Sequence, residues 1–143
     1  MTLALALARR AARRGEVPIG AVLVDPAGRV LAAEHNQTIT LCDPTAHAEM
    51  LALRQGAAAL GNYRLTGTTL YVSLEPCPMC AGALVWARVA RLVYAAPDPR
   101  SGALGSALDL NAASTLNHHP QITGGVLADQ AAAILKNFFA ARR

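Results

Sequence analysis

Hydrophobic and polar positions along the chain fall into blocks that predict helices and strands. Residues 3–14 place Leu3, Leu7 and Ala11 on one face and arginines opposite, which predicts an amphipathic helix that ends at Gly15. Apolar runs rich in β-branched residues and bounded by turn residues predict buried strands. We expect strands over residues 17–24, 30–33, 68–74, 92–95 and 122–123, and further helices over residues 46–60, 78–88 and 127–138.

The order of these elements predicts the fold class. The first two strands form a hairpin around Asp25-Pro26-Ala27-Gly28, and strands then alternate with helices. This order implies an α/β fold, a three-layer α/β/α sandwich around a central mixed sheet of about five strands. The helix over residues 46–60 is apolar on nearly all sides and should be buried. Residues 97–120 read as a loop with one helical turn around Ala107. No linker or repeat interrupts the chain, so we expect one domain over residues 1–143.

Composition and charge narrow the class of protein. Hydrophobic residues make up 53% of the 143 residues and charged ones 15%, which argues against disorder. No apolar run approaches the roughly 18 residues of a membrane span, and the N-terminus is apolar before it is basic, unlike a secretory signal. We therefore expect a cytoplasmic protein without membrane contact. The net charge of +4 comes largely from arginines near both ends, which suits a polyanionic partner, although a solvated helix face would equally explain the first cluster: Arg9, Arg10, Arg13, Arg14, Arg142 and Arg143.

The cysteines point to a metal or to redox chemistry. Their number is odd, and two of the three, Cys77 and Cys80, form a C-x-x-C at a predicted helix start. The helix dipole and free backbone N–H groups at that position favour thiolates. With His47, at the start of another helix, they provide three protein ligands. This is the number that a catalytic zinc ion uses when water occupies its fourth position.

Glu49 supplies the acid–base group that such a site needs. Two thiolates cancel the formal charge of Zn²⁺, so the bound water is less acidified than in an all-histidine site and a nearby base helps. Glu49 follows His47 by two residues, about 200° around a helix axis, so it should reach the water rather than the metal. A zinc-bound hydroxide with a carboxylate that takes and returns a proton predicts hydrolytic deamination.

Other interpretations of the cysteines exist. A lone C-x-x-C fits a redox pair or half of a structural zinc site, and Cys42 could complete a closed site with four ligands. A closed site has no use for Glu49, so we interpret Cys42 as an ordinary buried small side chain. H-x-E followed by P-C-x-x-C is the known signature of zinc deaminases, tRNA-adenosine deaminases among them.

Longer segments carry a narrower resemblance. The chain resembles the bacterial tRNA-specific adenosine deaminases of the cytidine/deoxycytidylate deaminase superfamily in segments spread over nearly its whole length: residues 43–49, 53–56, 62–65, 70–77, 102–106, 116–118, 122–129 and 138–143. The resemblance implies a cytidine-deaminase-like fold, one zinc ion per chain and a homodimer. The implied substrate is adenosine at the wobble position of a tRNA anticodon stem-loop, converted to inosine.

The resemblance also implies substrate contacts. Asn36 would hydrogen-bond the flipped base, since an amide both donates and accepts, although it could instead cap its own turn. Asp98 would line the groove and accept from a ribose 2′-OH, although it could be a turn residue. The tail residues Phe138, Arg142 and Arg143 would contact the RNA, although the two arginines could simply be a solubilising end.

Two other hypotheses remain open. A free-base deaminase, for example of guanine, shares D-P-T-A-H-A-E and E-P-C-P-M-C with this chain and predicts turnover without RNA. A non-catalytic, zinc-structured tRNA-binding module predicts zinc without an open coordination position.

Overall fold

The computed structural model describes residues 1–142, and Arg143 lies outside the described residues. Gly and Pro residues separate most of the regular elements. In chain order these are α1 (Thr2–Arg13), β1 (Gly20–Val24), β2 (Val30–His35), α2 (Ala48–Leu60), β3 (Thr69–Leu74), α3 (Pro78–Trp86), β4 (Arg91–Ala96), β5 (Gln121–Thr123) and α4 (Ala128–Ala140).

The five strands form one mixed sheet in the order β2-β1-β3-β4-β5. β1 runs antiparallel to both β2 and β3, whereas β3, β4 and β5 run parallel to one another. The α3 crossover joins β3 to β4, as parallel neighbours require. The carboxyl ends of β3 and β4 therefore meet at one edge of the sheet.

Alternating side chains of the strands cover the two faces of the sheet. Val22 and Tyr71 pack with Ala4 and Leu7 of α1 on one face. The intervening positions, such as Leu23 and Leu70, pack with α2 and α3 on the other. α4 joins α1 on the first face, where Ala131 packs against Leu5, Ala95 and Ala96. The predicted three-layer α/β/α sandwich with five strands is thus confirmed.

Four local predictions differ from the structure, the first three for identifiable reasons. β1 begins at Gly20 rather than Val17, because Pro18 has no N–H for the sheet and the N–H of Ile19 donates to the carbonyl of Val17. α2 is not buried on all sides, because only one face packs on the sheet and Arg54, Gln55 and Leu60 are exposed. Cys42 is exposed rather than buried, in a surface turn with a left-handed φ of 49°. The predicted helical turn near Ala107 lies slightly later, as a short 3₁₀ turn over Leu110–Ala112.

Across residues 1–142, none of the helices combines the length and the apolarity needed to cross a membrane.

Candidate active site

The starts of α2 and α3 meet beside the carboxyl end of β3. His47 is the N-cap residue of α2 and Cys77 is the N-cap residue of α3, both with extended backbone angles. Pro78 occupies the first turn of α3, where its missing N–H costs no hydrogen bond. Cys80 follows in the same turn and is buried. The positive ends of two helix dipoles therefore converge on the three side chains.

The spacing of these side chains fits a tetrahedral zinc ion. Nδ1 of His47 lies 3.7 Å from Sγ of Cys77 and 3.6 Å from Sγ of Cys80. A nitrogen at about 2.0 Å and a sulfur at about 2.3 Å from one tetrahedral zinc would lie about 3.5 Å apart. All three ligand atoms lie within 4.8 Å of one another. The donor set and its dimensions both match a site with three protein ligands.

The surroundings of the two cysteines and of His47 also shift their pKa values. A hydrogen bond from Cys80, followed by one with His47, lowers the pKa of Cys77 to about 4 despite partial burial. The hydrogen bond with Cys77 and burial raise the pKa of Cys80 well above its usual range. The hydrogen bond with Cys77 raises the pKa of His47. The lowered pKa of Cys77 favours its thiolate, and binding a metal to both sulfurs would release the proton of Cys80.

Glu49 lies in the first turn of α2 with 2% of its surface exposed. Its Oε2 has no hydrogen-bond partner within residues 1–142, although the residue lines the same cavity as His47 and Cys77. Burial raises the pKa of this carboxyl to about 7. A buried carboxylate with a vacant lone pair and a pKa near neutrality is suited to exchanging protons with a small polar molecule.

Asn36 begins the segment after β2 and is buried. Its Oδ1 accepts from the N–H of Ala48 at 2.8 Å, so it caps α2 next to His47. Asp43, which precedes α2 more closely, does not cap it, because its Oδ1 accepts from the N–H and the hydroxyl of Thr45 in a local turn. Within residues 1–142 the Nδ2 of Asn36 makes no hydrogen bond, and the residue lines the cavity, so its donor remains free for a ligand.

A cavity of about 1100 Å³ is lined by His47 and Cys77, two of the three side chains positioned to bind a metal. Its floor comes from the middle of the chain, with Asn36, His47, Glu49 and Cys77. Its rim comes from the segment after β4 and from the end of α4. The volume slightly exceeds the roughly 300–1,000 Å³ typical of small-molecule pockets.

The structure places Asp98 on this rim, but it also gives that carboxylate a local role. Asp98 accepts from the N–H groups of Arg100 and Ser101 and from the hydroxyl of Ser101, so it shapes its own turn. The neighbouring Arg100 is exposed and lines the cavity. The sequence did not point to Arg100, because a single surface arginine carries no pattern.

Of the residues at the end of α4 that were predicted to contact RNA, Arg142 lines the cavity and Phe138 does not. Phe138 is 8% exposed and packs inward, and the guanidinium of Arg142 lies 3.6 Å from its ring centroid. Arg142 lines the cavity, together with the exposed Phe139 and with Lys136. Phe138 therefore lies beneath Arg142 instead of on the cavity wall. The predicted contact by Arg143 lies outside the described residues.

Cys42 does not join the three side chains that are positioned to bind a metal. Among residues 1–142, the group of side chains close enough to share an ion is His47, Cys77 and Cys80. The thiol of Cys42 lies near the backbone carbonyl of Ile39 in its surface turn. The closed site with four ligands is therefore not formed by this residue.

Comparison with known proteins agrees with this geometry. A family model described as the cytidine and deoxycytidylate deaminase zinc-binding region matches residues 1–96. A tRNA-specific adenosine deaminase of Haemophilus influenzae is 48% identical over 143 residues, which cover 100% of this chain and 83% of the relative. These matches confirm the predicted family and zinc as the cofactor.

Solved structures confirm the predicted fold. One, from a study of A-to-I editing by tRNA:A34 deaminases at the wobble position of transfer RNA, superimposes with a TM-score of 0.92 and 49% identity, covering 94% of this chain and 97% of that one. A guanine deaminase from Nitrosomonas europaea superimposes with a TM-score of 0.82 at 28% identity, covering 97% and 82%.

Proposed function

Because the chain belongs to the cytidine and deoxycytidylate deaminase family, and within it to the tRNA-specific adenosine deaminases, we propose that it hydrolytically deaminates adenosine to inosine at the wobble position of a tRNA anticodon loop. The observation that carries this proposal is the buried carboxylate of Glu49 at the floor of the cavity, whose Oε2 has no hydrogen-bond partner within residues 1–142.

The proposed chemistry divides between the metal ligands and Glu49. His47, Cys77 and Cys80 hold zinc, which when bound acidifies a water molecule. Glu49 takes a proton from the attacking water and passes it to N1 of the adenine ring as the new C–O bond forms at C6. The proton of the new hydroxyl then reaches the exocyclic amine, which leaves as ammonia. Asn36 holds the base in place through its free Nδ2 donor.

The charge around the cavity supports an RNA substrate. Arg9, Arg10, Arg13 and Arg14 are exposed on α1, and no ion pair involves them within the described residues. Nη2 of Arg142 lies 3.7 Å from the position of a Cβ built on Gly15, at the end of α1. The C-terminal end of α1, with Arg13 and Arg14, therefore lies next to Arg142 on the cavity rim. A free base would need no such surface, whereas an anticodon stem-loop presents phosphates to it.

We also propose that two copies of the chain associate through α2 and α3. Trp86 is 74% exposed at the end of α3, and Tyr63 beside it is also exposed. They flank an apolar depression lined by Met50, Leu53, Ala57 and Ala83. Burying this surface against an equivalent one would remove large aromatic side chains from water. A cytoplasmic location, where tRNA is available, and a single domain over residues 1–143 complete the proposal.

The decisive experiment offers the zinc-loaded protein an anticodon stem-loop with adenosine at the wobble position and, separately, free guanine. We expect inosine from the stem-loop, no ammonia from guanine, and loss of activity after zinc chelation. Turnover of guanine alone would establish the free-base alternative. Zinc retained without turnover of either substrate would establish the non-catalytic module.

A second experiment tests the tail. Deleting Ala141 to Arg143 should weaken stem-loop binding and reduce its salt dependence by up to about one logarithmic unit of slope per lost phosphate contact. Zinc content should not change, because the ligands lie on α2 and α3. Unchanged binding at every salt concentration would show that the tail makes no phosphate contact.

A further inference from the structure

Glu75 accepts a dense group of hydrogen bonds at the cavity rim. The proposed chemistry does not use this residue. It follows β3 directly and precedes Pro76 and the metal ligand Cys77. The residue is 2% exposed, yet its carboxylate has no ion-pair partner within residues 1–142. A buried charge of this kind is costly unless hydrogen bonds compensate for it.

The compensation comes entirely from one loop. Oε1 accepts from the N–H groups of Leu104 at 3.0 Å and Ser106 at 3.1 Å. Oε2 accepts from the N–H of Asp98 at 3.0 Å and from the hydroxyl of Ser106. One carboxylate thus ties the beginning of the segment 98–106 to its end.

The loop is built to approach this carboxylate closely. A Cβ on Gly102 would lie 2.5 Å from Cδ and Oε2 of Glu75 and 2.6 Å from the carbonyl oxygen of Asp98. Only glycine therefore lets the backbone pass there without displacing the carboxylate. The N–H of Ala103 also donates to the carbonyl of Pro76 at 2.9 Å, so the loop contacts both residues that precede Cys77.

The same loop forms part of the cavity rim through residues 97–101. We infer that Glu75 is a positioning residue that fixes this rim segment, with Arg100, relative to the metal ligand two residues away. The inference rests on the proposed function for its substrate. Glu75 keeps the rim in a binding-competent arrangement in the RNA-free protein.

The inference predicts an effect on substrate binding more than on chemistry. In Glu75→Gln the amide offers one acceptor oxygen and places an NH₂ group against donors, so part of the cluster is lost. If only about one molecule in ten then holds the competent loop, the apparent affinity falls about tenfold. We expect KM for the stem-loop to rise at least about tenfold, with kcat within about threefold of wild type. Zinc content should be unchanged.

The matched control is Asp25→Asn. Asp25 is also a buried carboxylate that accepts several hydrogen bonds, from Ala27 and Arg29. It lies in the β1–β2 turn, and the adjoining Val24 pairs with Thr69 at the start of β3, the end away from the cavity. This variant should lower the melting temperature without raising KM. An equal rise of KM in both variants would show a general effect of destabilisation and would overturn the inference.

A double-mutant cycle with Arg100→Ala tests whether Glu75 acts through the rim. If it does, the double variant should be hardly worse than the more impaired single variant, because each removes the same contact. Effects on KM that multiply would refute the positioning role. Should Glu75→Gln fail to fold, Ser106→Ala removes one donor only and should raise KM in the same direction; no change in that variant would count against the inference.

Hydrogen exchange gives a readout that needs no substrate. The amides of Asp98, Leu104 and Ser106 should exchange faster in Glu75→Gln than in wild type, while amides of β1 and β3 should not. Unchanged exchange at all three would overturn the inference. A wild-type protein without activity on the stem-loop would defeat the proposed function, and exchange would then decide the role of Glu75 by itself.

Discussion

Replacing Asn36 should impair both the stability of the fold and the recognition of the base. Its Oδ1 accepts the N–H of Ala48 at the start of α2, and its Nδ2 is the only free donor that the side chain presents to the cavity within the described residues. In Asn36→Ala the N–H of Ala48 loses its partner in a buried site, immediately beside the ligand His47. The two consequences can be estimated separately.

The stability term follows from the loss of the helix cap. Such losses cost about 0.5–2 kcal/mol, and the upper end applies here because the abandoned N–H is buried. For a chain of this length, about 2 kcal/mol corresponds to a melting temperature lower by about 6 °C. The functional term is the loss of one hydrogen bond to a buried base. A polar group left unpaired costs about 1–3 kcal/mol, or about fivefold to 150-fold in kcat/KM.

The assay compares Asn36→Ala with Asn36→Asp in thermal unfolding and in stem-loop deamination. Aspartate restores the acceptor for Ala48, but it replaces the amide donor and places a second buried carboxylate near Glu49. We therefore expect it to melt between wild type and Asn36→Ala, and to remain as poorly active as Asn36→Ala. An Asn36→Ala protein as stable as wild type would refute the capping argument. An Asn36→Asp protein with wild-type activity would refute the role of Nδ2.

Three further predictions concern other parts of the molecule. Glu49→Gln should fold and retain zinc, but its turnover should fall by about two to four orders of magnitude; near-normal turnover would move the proton transfer elsewhere. Trp86→Glu should convert the proposed dimer to monomers in light scattering, and a dimer that persists would place the interface on another surface. Burial raises the pKa of Glu16, but hydrogen bonds from Thr40, Ile39 and Thr38 outweigh it and hold the pKa below its usual 4.5. Wild type should therefore be more stable than Glu16→Gln above about pH 4.5, and this advantage should shrink on acidification; a constant difference would contradict it.

The sequence predicted the chemistry and the layers better than it predicted the loops. His47, Cys77 and Cys80 come together because each lies at a helix start after a recognisable turn, and such starts are local signals. The five strands were found because their apolar runs are also local. Errors concentrated at boundaries, as at Val17, where Pro18 delays the start of β1.

Long-range partners were the main omission. The cap of α2 comes from Asn36, twelve residues before Ala48, and no pattern within the helix announces it. Cys42 was expected to be buried because of its residue type, but its left-handed backbone conformation in a surface turn leaves the side chain exposed. No role was predicted from the sequence for Glu75, although it belongs to the E-P-C-P-M-C motif. Its hydrogen-bond donors come from residues 98–106, which lie near it only in the folded protein.

The two halves of the cavity come from different lengths of chain. The floor, with the metal ligands, Glu49 and Asn36, lies within residues 1–96, the part that the family model matches, whereas the rim segments 97–101 and 135–142 lie beyond it. The metal-binding and acid–base residues and the C-terminal rim therefore come from separate lengths of chain, whereas Asn36, which we propose contacts the base, belongs to the first. A chimera that joins residues 1–96 to the corresponding C-terminal part of a guanine deaminase would keep the metal-binding residues and Glu49. It would exchange the rim of the cavity, which faces the substrate. Changes late in the chain would therefore alter the rim without touching the metal-binding residues, provided that Glu75 continues to match the loop it holds.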